Sequence, residues 1–188
     1  MRFAKFGILF VMLFALATIG QAQVILGVQA GYTSSAFDEE VQESAASTFS
    51  GGAIIGTDIM PMIDVGLEYN LLFSPFEFEE GGTTAKVSQN LLGLWARWYF
   101  LPIPAVSPYI RGGVGYYSGK LELSGAMTGE ADFKSTVGFN IGAGVDMPMG
   151  LYGEFVYHIV SRELDVDGAE SAGYNNWAIS VGYSFDLL

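Results

Sequence analysis

One histidine and two serines are the residues of this chain that could support hydrolytic chemistry. His158 is the only histidine, Ser161 follows three residues later, and Ser180 lies on the neighbouring predicted strand. A serine nucleophile must lie within hydrogen-bond reach of its base. The alternation of its strand turns His158 toward the polar face, where a lone histidine is usually structural. We therefore expect no catalytic residues and no enzyme.

Two glutamates and two arginines form a second group that could do chemistry. Each lies on the polar face of a different predicted strand, and the four are Glu68, Arg97, Arg111 and Glu154. Charges that are removed from water must be paired. We expect a lumen charge cluster, which acts either as a salt-bridge plug or as a gate that opens when the arginines exchange partners. The sequence leaves both open.

Carboxylates form the third group. The chain has 20 Asp and Glu against 8 Lys and Arg, a net charge of -12. Most of them fall in four long predicted connections: Asp38, Glu39, Glu40, Glu43, Glu77, Glu79, Glu80, Glu122, Glu130, Asp132, Glu163, Asp165, Asp167 and Glu170. Such a surface repels nucleic acid and attracts cations.

The last four of these carboxylates are a candidate cation-binding segment. Residues 163–170 resemble a calcium loop but lack its twelve-residue spacing. Carboxylates can nevertheless share Ca²⁺ or Mg²⁺ with other anionic groups, because hard cations take oxygen ligands. The alternative is a solvated acidic exterior. We assign no resident metal site and no cofactor.

The elements that position these groups are strands. From Trp177 to Leu187 the sequence alternates without an error, with large apolar residues on one face: Trp177, Ile179, Val181, Tyr183, Phe185 and Leu187. The other face carries small or polar residues: Ala178, Ser180, Gly182, Ser184 and Asp186. This period of two is typical of a strand whose apolar face meets lipid.

The N-terminus predicts export. Arg2 and Lys5 precede an apolar run over 6–19, which is shorter than the roughly 20 apolar residues that a transmembrane helix needs. A small-x-small cleavage site ends at Ala22. We predict a cleaved signal peptide over residues 1–22 and one domain over residues 23–188. The chain has no cysteine, so disulfides do not stabilise that domain.

Eight strands can be counted in this domain. Their predicted spans are 24–32, 51–59, 62–73, 88–100, 108–118, 134–146, 151–160 and 176–187. Short proline-containing turns alternate with four long polar connections, at 33–50, 74–87, 119–133 and 161–175. Outer-membrane barrels show this alternation, with the short turns in the periplasm. We predict an all-β fold, an eight-stranded antiparallel up-and-down transmembrane β-barrel.

The distribution of charge favours lipid on the apolar faces, because none of the residues assigned to them is charged. A lipid-facing Arg or Lys costs about 2–4 kcal/mol at the midplane. The alternative is a soluble lipocalin-like barrel, which needs a solvent face rich in Lys and Glu. The polar faces here are instead rich in glycine and serine, which suit the inside of a narrow barrel.

Three segments carry a resemblance to a known family. Residues 24–32, 109–115 and 181–185 resemble strands of the small eight-stranded outer-membrane barrels of the OmpA, OmpX and OmpW kind, in the broad outer-membrane β-barrel domain family of Gram-negative bacteria. At the end of the sequence, Ser180, Gly182, Phe185 and Leu187 resemble the C-terminal assembly signal of such barrels, although the last residue is Leu188 rather than phenylalanine.

The resemblance implies a location in the cell outer membrane, among outer-membrane lipids and lipopolysaccharide, and assembly by the barrel-assembly machinery. It implies a monomer with a structural or surface-interaction role. In such a location, the carboxylates of the long connections could share Ca²⁺ or Mg²⁺ with lipopolysaccharide phosphates. The alternative is a porin-like channel for ions or small solutes. A third is a lipid A-modifying enzyme, since such enzymes share this scaffold.

Overall fold

The computed structural model describes residues 23–37, 47–80, 82–101, 103, 105–126, 128–162 and 172–187. Eleven strands lie in these ranges: β1 (Val24–Phe37), β2 (Ser47–Met60), β3 (Ile63–Leu72), β4 (Phe76–Glu80), β5 (Thr83–Tyr99), β6 (Ser107–Gly125), β7 (Gly129–Asp132), β8 (Thr136–Asp146), β9 (Leu151–Ile159), β10 (Ser161–Arg162) and β11 (Ala172–Leu187). A 3₁₀ turn, Pro148–Gly150, joins β8 to β9. No helix in the described ranges is long and apolar enough to cross a membrane.

Eight of these strands close into a ring in which every neighbouring pair is antiparallel. The order around the ring is β1, β2, β3, β5, β6, β8, β9 and β11, and β11 pairs back to β1. Each of these strands contains most of one predicted span. The predicted eight-stranded up-and-down barrel is confirmed.

Two of the predicted polar loops are wrong, because much of 74–87 and 119–133 is β-structure. β4 pairs with the start of β5, and β7 pairs with the end of β6, so a four-stranded sheet extends beyond the ring. Its stability has a visible source: Phe76 and Val87 are buried, and Leu72, Leu121 and Phe133 pack against them. Burial of apolar surface outside the bilayer sustains the strands there.

The described ends of the other two long connections, residues 33–37, 47–50, 161–162 and 172–175, also belong to strands rather than loops. Residues 38–46 and 163–171 lie outside the described residues, as does the predicted signal peptide over 1–22. At the opposite end of the barrel, the strands are joined by the three short predicted turns. Residue 23 and the end of β11 lie at that same end. Because outer-membrane barrels have short periplasmic turns, we call it the periplasmic end.

The faces of the strands follow the predicted parity. The outer surface exposes large apolar side chains from all eight ring strands, among them Val28, Phe49, Tyr69, Leu94, Ile110, Ile141, Phe155 and Val181. The inner face buries polar and charged side chains, among them Glu68, Gln89, Arg97, Arg111, Asn140, Glu154 and His158. A slip of one residue would exchange the two faces of a strand, so burial of the charges fixes the register.

Aromatic residues lie near both rims of the apolar surface. Tyr32 lies with its ring centroid 6.0 Å from those of Phe49 and Trp177, and Trp177 stacks on Phe155 at 6.2 Å. Near the periplasmic end, Trp98 contacts Phe100 at 6.5 Å. Aromatic rings at these two levels are typical of the interfacial girdles of membrane barrels.

Candidate functional site

The lumen contains a continuous series of ion pairs. Arg111 Nη2 lies 2.5 Å from Glu68 Oε1, and Arg111 Nη1 lies 2.7 Å from Glu154 Oε1. Arg97 Nη2 lies 3.3 Å from Glu154 Oε2. All four side chains are at most 2% exposed. The structure thus brings together the four residues of the predicted lumen charge cluster, and Glu154 is shared by both arginines.

The register of the strands explains why two glutamates are needed. Arg97 on β5 lies directly opposite Arg111 on β6. Like charges in this position destabilise a sheet. Glu68 on β3 and Glu154 on β9 approach from other sides of the ring, so each guanidinium gains at least one carboxylate. Charge-assisted hydrogen bonds of this kind are the strong ones.

Arg97 is also enclosed by aromatic rings. Its Cζ atom lies 4.9 Å from the ring centroid of Trp95, 4.6 Å from that of Tyr109 and 4.8 Å from that of Tyr152. The Tyr109 hydroxyl donates a hydrogen bond to Glu154 Oε2 at 3.0 Å. Cation–π contacts strengthen when the cation is desolvated. Arg97 is therefore held from several directions at once.

These inward aromatics were not among the predicted residues of the lumen, because glycines on the inner face indicated only that small residues lie there. In the structure, three glycines each face a different aromatic ring. A Cβ atom at Gly182 would collide with the ring of Tyr152, one at Gly144 with the ring of Tyr109, and one at Gly56 with the ring of Trp95. The alternation of side chains along each strand could have revealed these rings, because it assigns all three rings and all three glycines to the inner face. Glycine on one strand makes space for an aromatic ring from another.

Toward the outside, the ion pairs connect to a polar network. Asn70 donates to Glu68 Oε2 at 2.8 Å, and Gln29 donates to Asn70 Oδ1 at 2.7 Å. The Tyr152 hydroxyl donates to Gln29 Oε1 at 3.0 Å. Above this layer the lumen holds a cavity of about 40 Å³, which Gln89 and Asn176 help to line.

Toward the periplasm, the lumen opens into a larger cavity of about 340 Å³. Asp58, Asp64, Asp146 and Asp186 line it together with Tyr99 and Arg97. We call it the acidic vestibule. The Tyr99 hydroxyl lies 2.9 Å from Asp64 Oδ2 and 2.6 Å from Asp146 Oδ2. Since a hydroxyl carries one hydrogen, it can donate to only one of them at a time.

The structure does not bring the residues of the hydrolytic alternative together. His158 Nδ1 lies 2.8 Å from the Tyr117 hydroxyl. On β11 the residue opposite His158 is Asn176, whereas Ser180 lies opposite Glu154. Ser161 belongs to β10 and is exposed. The geometry contains no Ser–His pair among these residues.

The residues of the predicted assembly signal all lie on β11, in two orientations. Ser180 is buried in the lumen, and Gly182 lies against the Tyr152 ring. Phe185 and Leu187 are exposed on the apolar outer surface. The candidate cation-binding residues Glu163, Asp165, Asp167 and Glu170 lie outside the described residues. Within the part of the sequence that the structure describes, no group of three acidic or histidine residues could hold a metal ion.

Comparison with known proteins agrees with this architecture. The family model of the outer membrane protein beta-barrel domain matches residues 6–185. No curated protein matches the sequence.

Solved structures show the fold at low identity. Neisserial surface protein A is 13% identical, with a TM-score of 0.68, over 88% of this chain and 99% of that one. Ail, the attachment invasion locus protein of Yersinia pestis, is 13% identical with a TM-score of 0.55 over 87% and 99%, in a complex with the heparin analogue sucrose octasulfate. A major outer membrane protein from Thermus thermophilus is 13% identical, with a TM-score of 0.54, over 88% and 100%.

A family match over nearly the whole sequence agrees with the closed ring of strands and with its apolar outer surface. The protein belongs to the outer membrane protein β-barrel domain family and is an integral β-barrel of the outer membrane.

Proposed function

We propose that this barrel is a closed, non-conducting outer-membrane protein with a structural and surface-interaction role. The observation that carries the proposal is the layer of ion pairs across the lumen, in which Arg111 bridges Glu68 and Glu154 with side chains at most 1% exposed. Eight strands leave an interior just wide enough for side chains to fill. A solute would have to separate these charges in order to pass.

The aromatic rings strengthen this argument. Arg97 could open a path only by leaving Glu154 and the rings of Tyr109 and Tyr152 together. A buried cation that loses its partners bears the full cost of desolvation. We expect the closed arrangement to dominate at equilibrium.

The predicted result is that the purified, refolded wild-type protein gives no stepwise conductance in planar lipid bilayers at moderate voltage. A refolded trimeric porin in the same membrane is the positive control, and bilayers without protein are the blank. Regular single-channel steps from the wild-type protein would contradict a closed lumen.

A channel is the second candidate, because cavities lie on both sides of the charge layer. They measure about 40 Å³ on the outer side and about 340 Å³ on the periplasmic side. Rearrangement of the charge layer alone would then connect the two cavities, and the conductance measurement separates the two candidates.

We propose no enzymatic function, because His158 contacts Tyr117 in the lumen, away from the lipid surface.

At the cell surface, the proposed interaction is with the anionic groups of lipopolysaccharide through shared divalent cations. In the described part of the extracellular sheet, three carboxylates lie near one lysine. Lys120 Nζ lies 2.7 Å from Glu130 Oε1 and 3.9 Å from Asp132 Oδ1, and Glu122 is exposed beside them, so the local charge is negative. The hydrogen bond from Lys120 lowers the pKa of the Glu130 carboxyl. It therefore stays ionised at neutral pH. A surface of this sign disfavours direct binding of polyanions such as the heparin analogue bound to Ail.

We expect lipopolysaccharide to raise the urea midpoint of the refolded protein when Ca²⁺ is present, and we expect EDTA to abolish the increase. Neutralising the candidate segment by Glu163→Gln, Asp165→Asn, Asp167→Asn and Glu170→Gln should reduce it. The control removes two carboxylates at the periplasmic end, by Asp58→Asn and Asp186→Asn, and should keep the increase. An increase that persists in EDTA would contradict cation bridging.

We further propose that the barrel is a monomer and that the barrel-assembly machinery is its partner during insertion.

A further inference from the structure

The acidic vestibule has more carboxylates than its cation can neutralise. Among the residues that line it, Arg97 carries the positive charge, and Arg97 is already bound to Glu154. The lining carboxylates are Asp58, Asp64, Asp146 and Asp186. Carboxylates that cluster in a partly enclosed space repel one another. A further cation at this place would stabilise the barrel.

The four carboxylates divide into two pairs by position. Asp64 and Asp146 lie on either side of the Tyr99 hydroxyl, deeper in the vestibule. Asp146 Oδ1 is enclosed by protein and has no hydrogen-bond partner in the described structure. Asp58 is half-buried and Asp186 is exposed, so these two form the outer pair.

The first residue that the structure describes lies between this outer pair. Val24 pairs with Thr57 on β2, and Ile25 pairs with Asp186 on β11. Continued by one residue beyond Val24, the same antiparallel register would place Gln23 beside Asp58. Gln23 also lines the vestibule. Neighbours across antiparallel strands, direct or diagonal, lie within about 8 Å of each other.

We propose that removal of residues 1–22 places the new α-ammonium group of Gln23 in the acidic vestibule, where Asp58 and Asp186 bind it. Hydrolysis of the Ala22–Gln23 peptide bond converts a neutral amide nitrogen into a primary amine, and an N-terminal amine of this kind is largely protonated at neutral pH. The inference rests on the predicted cleavage site and is independent of whether the lumen conducts.

This ion pair would act at the seam of the barrel. β1 is the first strand of the ring and β11 is the last, and their pairing closes it. The ammonium at the start of β1 would bind carboxylates on both of its neighbours, β2 and β11. Processing of the protein would therefore strengthen closure of the finished barrel, whereas the unprocessed form has no such charge at residue 23.

The test removes that charge from an otherwise unchanged protein. Processed protein is isolated from outer membranes and unfolded in urea, and Gln23 is cyclised to pyroglutamate. The α-nitrogen attacks the carbonyl carbon of the Gln23 side-chain amide and forms a new C–N bond, while the original C–N bond of that amide breaks and ammonia leaves. Cyclised and untreated protein are refolded into phosphatidylcholine vesicles, and their unfolding rates in urea are compared.

We expect the cyclised wild-type protein to unfold several-fold faster than the untreated protein. In the variant with Asp58→Asn and Asp186→Asn, cyclisation should change nothing, because the carboxylates that recognise the ammonium are gone. The Gln23→Ala variant keeps its amine and cannot cyclise, so the same treatment should leave its unfolding rate unchanged. Equal rates for cyclised and untreated wild type, or an equal increase in the double variant, would overturn the proposal. So would mass spectrometry of the isolated protein that finds a first residue other than Gln23.

Discussion

Replacing Glu154 by alanine is expected to destabilise the folded barrel by about 3–5 kcal/mol, the cost of breaking a buried ion pair by removing one partner. Glu154 accepts hydrogen bonds from Arg111, Arg97 and Tyr109. Among the described residues, its loss leaves Arg97 without a carboxylate within salt-bridge distance and leaves Arg111 with Glu68 alone. The measurement is urea unfolding of the refolded protein in lipid vesicles.

The structure also predicts an order among the variants. Glu68→Ala should cost less than Glu154→Ala, because Arg111 keeps its contact with Glu154. Glu122→Ala is the matched control, since Glu122 is exposed on the extracellular part of β6 and exposed sites usually change stability by less than about 0.5 kcal/mol. Wild-type stability in Glu154→Ala would show that the ion pairs contribute nothing.

Conductance of the same variants separates a plug from a gate. The rings around Arg97 persist when Glu154 is removed, so a plug should lose stability with little ion flow. In a gate, the freed arginine would move aside and the open probability would rise while the fold remained nearly as stable. The two quantities therefore need to be measured on one preparation.

The four residues of the charge cluster could be predicted because parity alone assigns them to the lumen. A strand has a side-chain period of two, so Glu68 and Arg97 are placed inward without knowledge of their neighbours. Their partners could not be predicted, because contacts between Arg111 and Glu68 depend on the register and tilt of strands that are distant in sequence. For the same reason, the sequence did not predict that Arg97 and Arg111 lie directly opposite each other, because that pairing depends on the register between β5 and β6.

Two features were beyond sequence reasoning for other physical reasons. The sheet that β4 and β7 form with β5 and β6 combines exposed charge with a small apolar interior, and its polar composition alone indicates a loop. The enclosure of Arg97 by Trp95, Tyr109 and Tyr152 requires three strands to converge on one guanidinium. The composition of the inner face indicated a lumen filled by small residues. In the structure, a glycine on another strand leaves the space that each of these large rings fills.

The second large effect is expected on the outer surface, where Ile141→Arg should reduce the stability of the barrel in lipid by about 2–4 kcal/mol. Ile141 lies near the middle of β8, is 62% exposed on the outer face and pairs with Gly112 and Tyr157 on the neighbouring strands. The cost arises because a guanidinium at mid-depth must lose its hydration or distort the bilayer.

Two variants of the same strand make the prediction specific to depth and to face. Val137 is also 62% exposed on that face, but it lies near the outer end of β8, so Val137→Arg should cost only about 0–1 kcal/mol. Asn140 is buried in the lumen, so Asn140→Arg should act through crowding and through repulsion from Arg111, whatever the thickness of the bilayer. Urea unfolding in vesicles of short-chain and long-chain phosphatidylcholine distinguishes these causes. Only the penalty of Ile141→Arg should grow with bilayer thickness, and equal penalties for Ile141→Arg and Val137→Arg in both lipids would contradict a lipid-facing surface on β8.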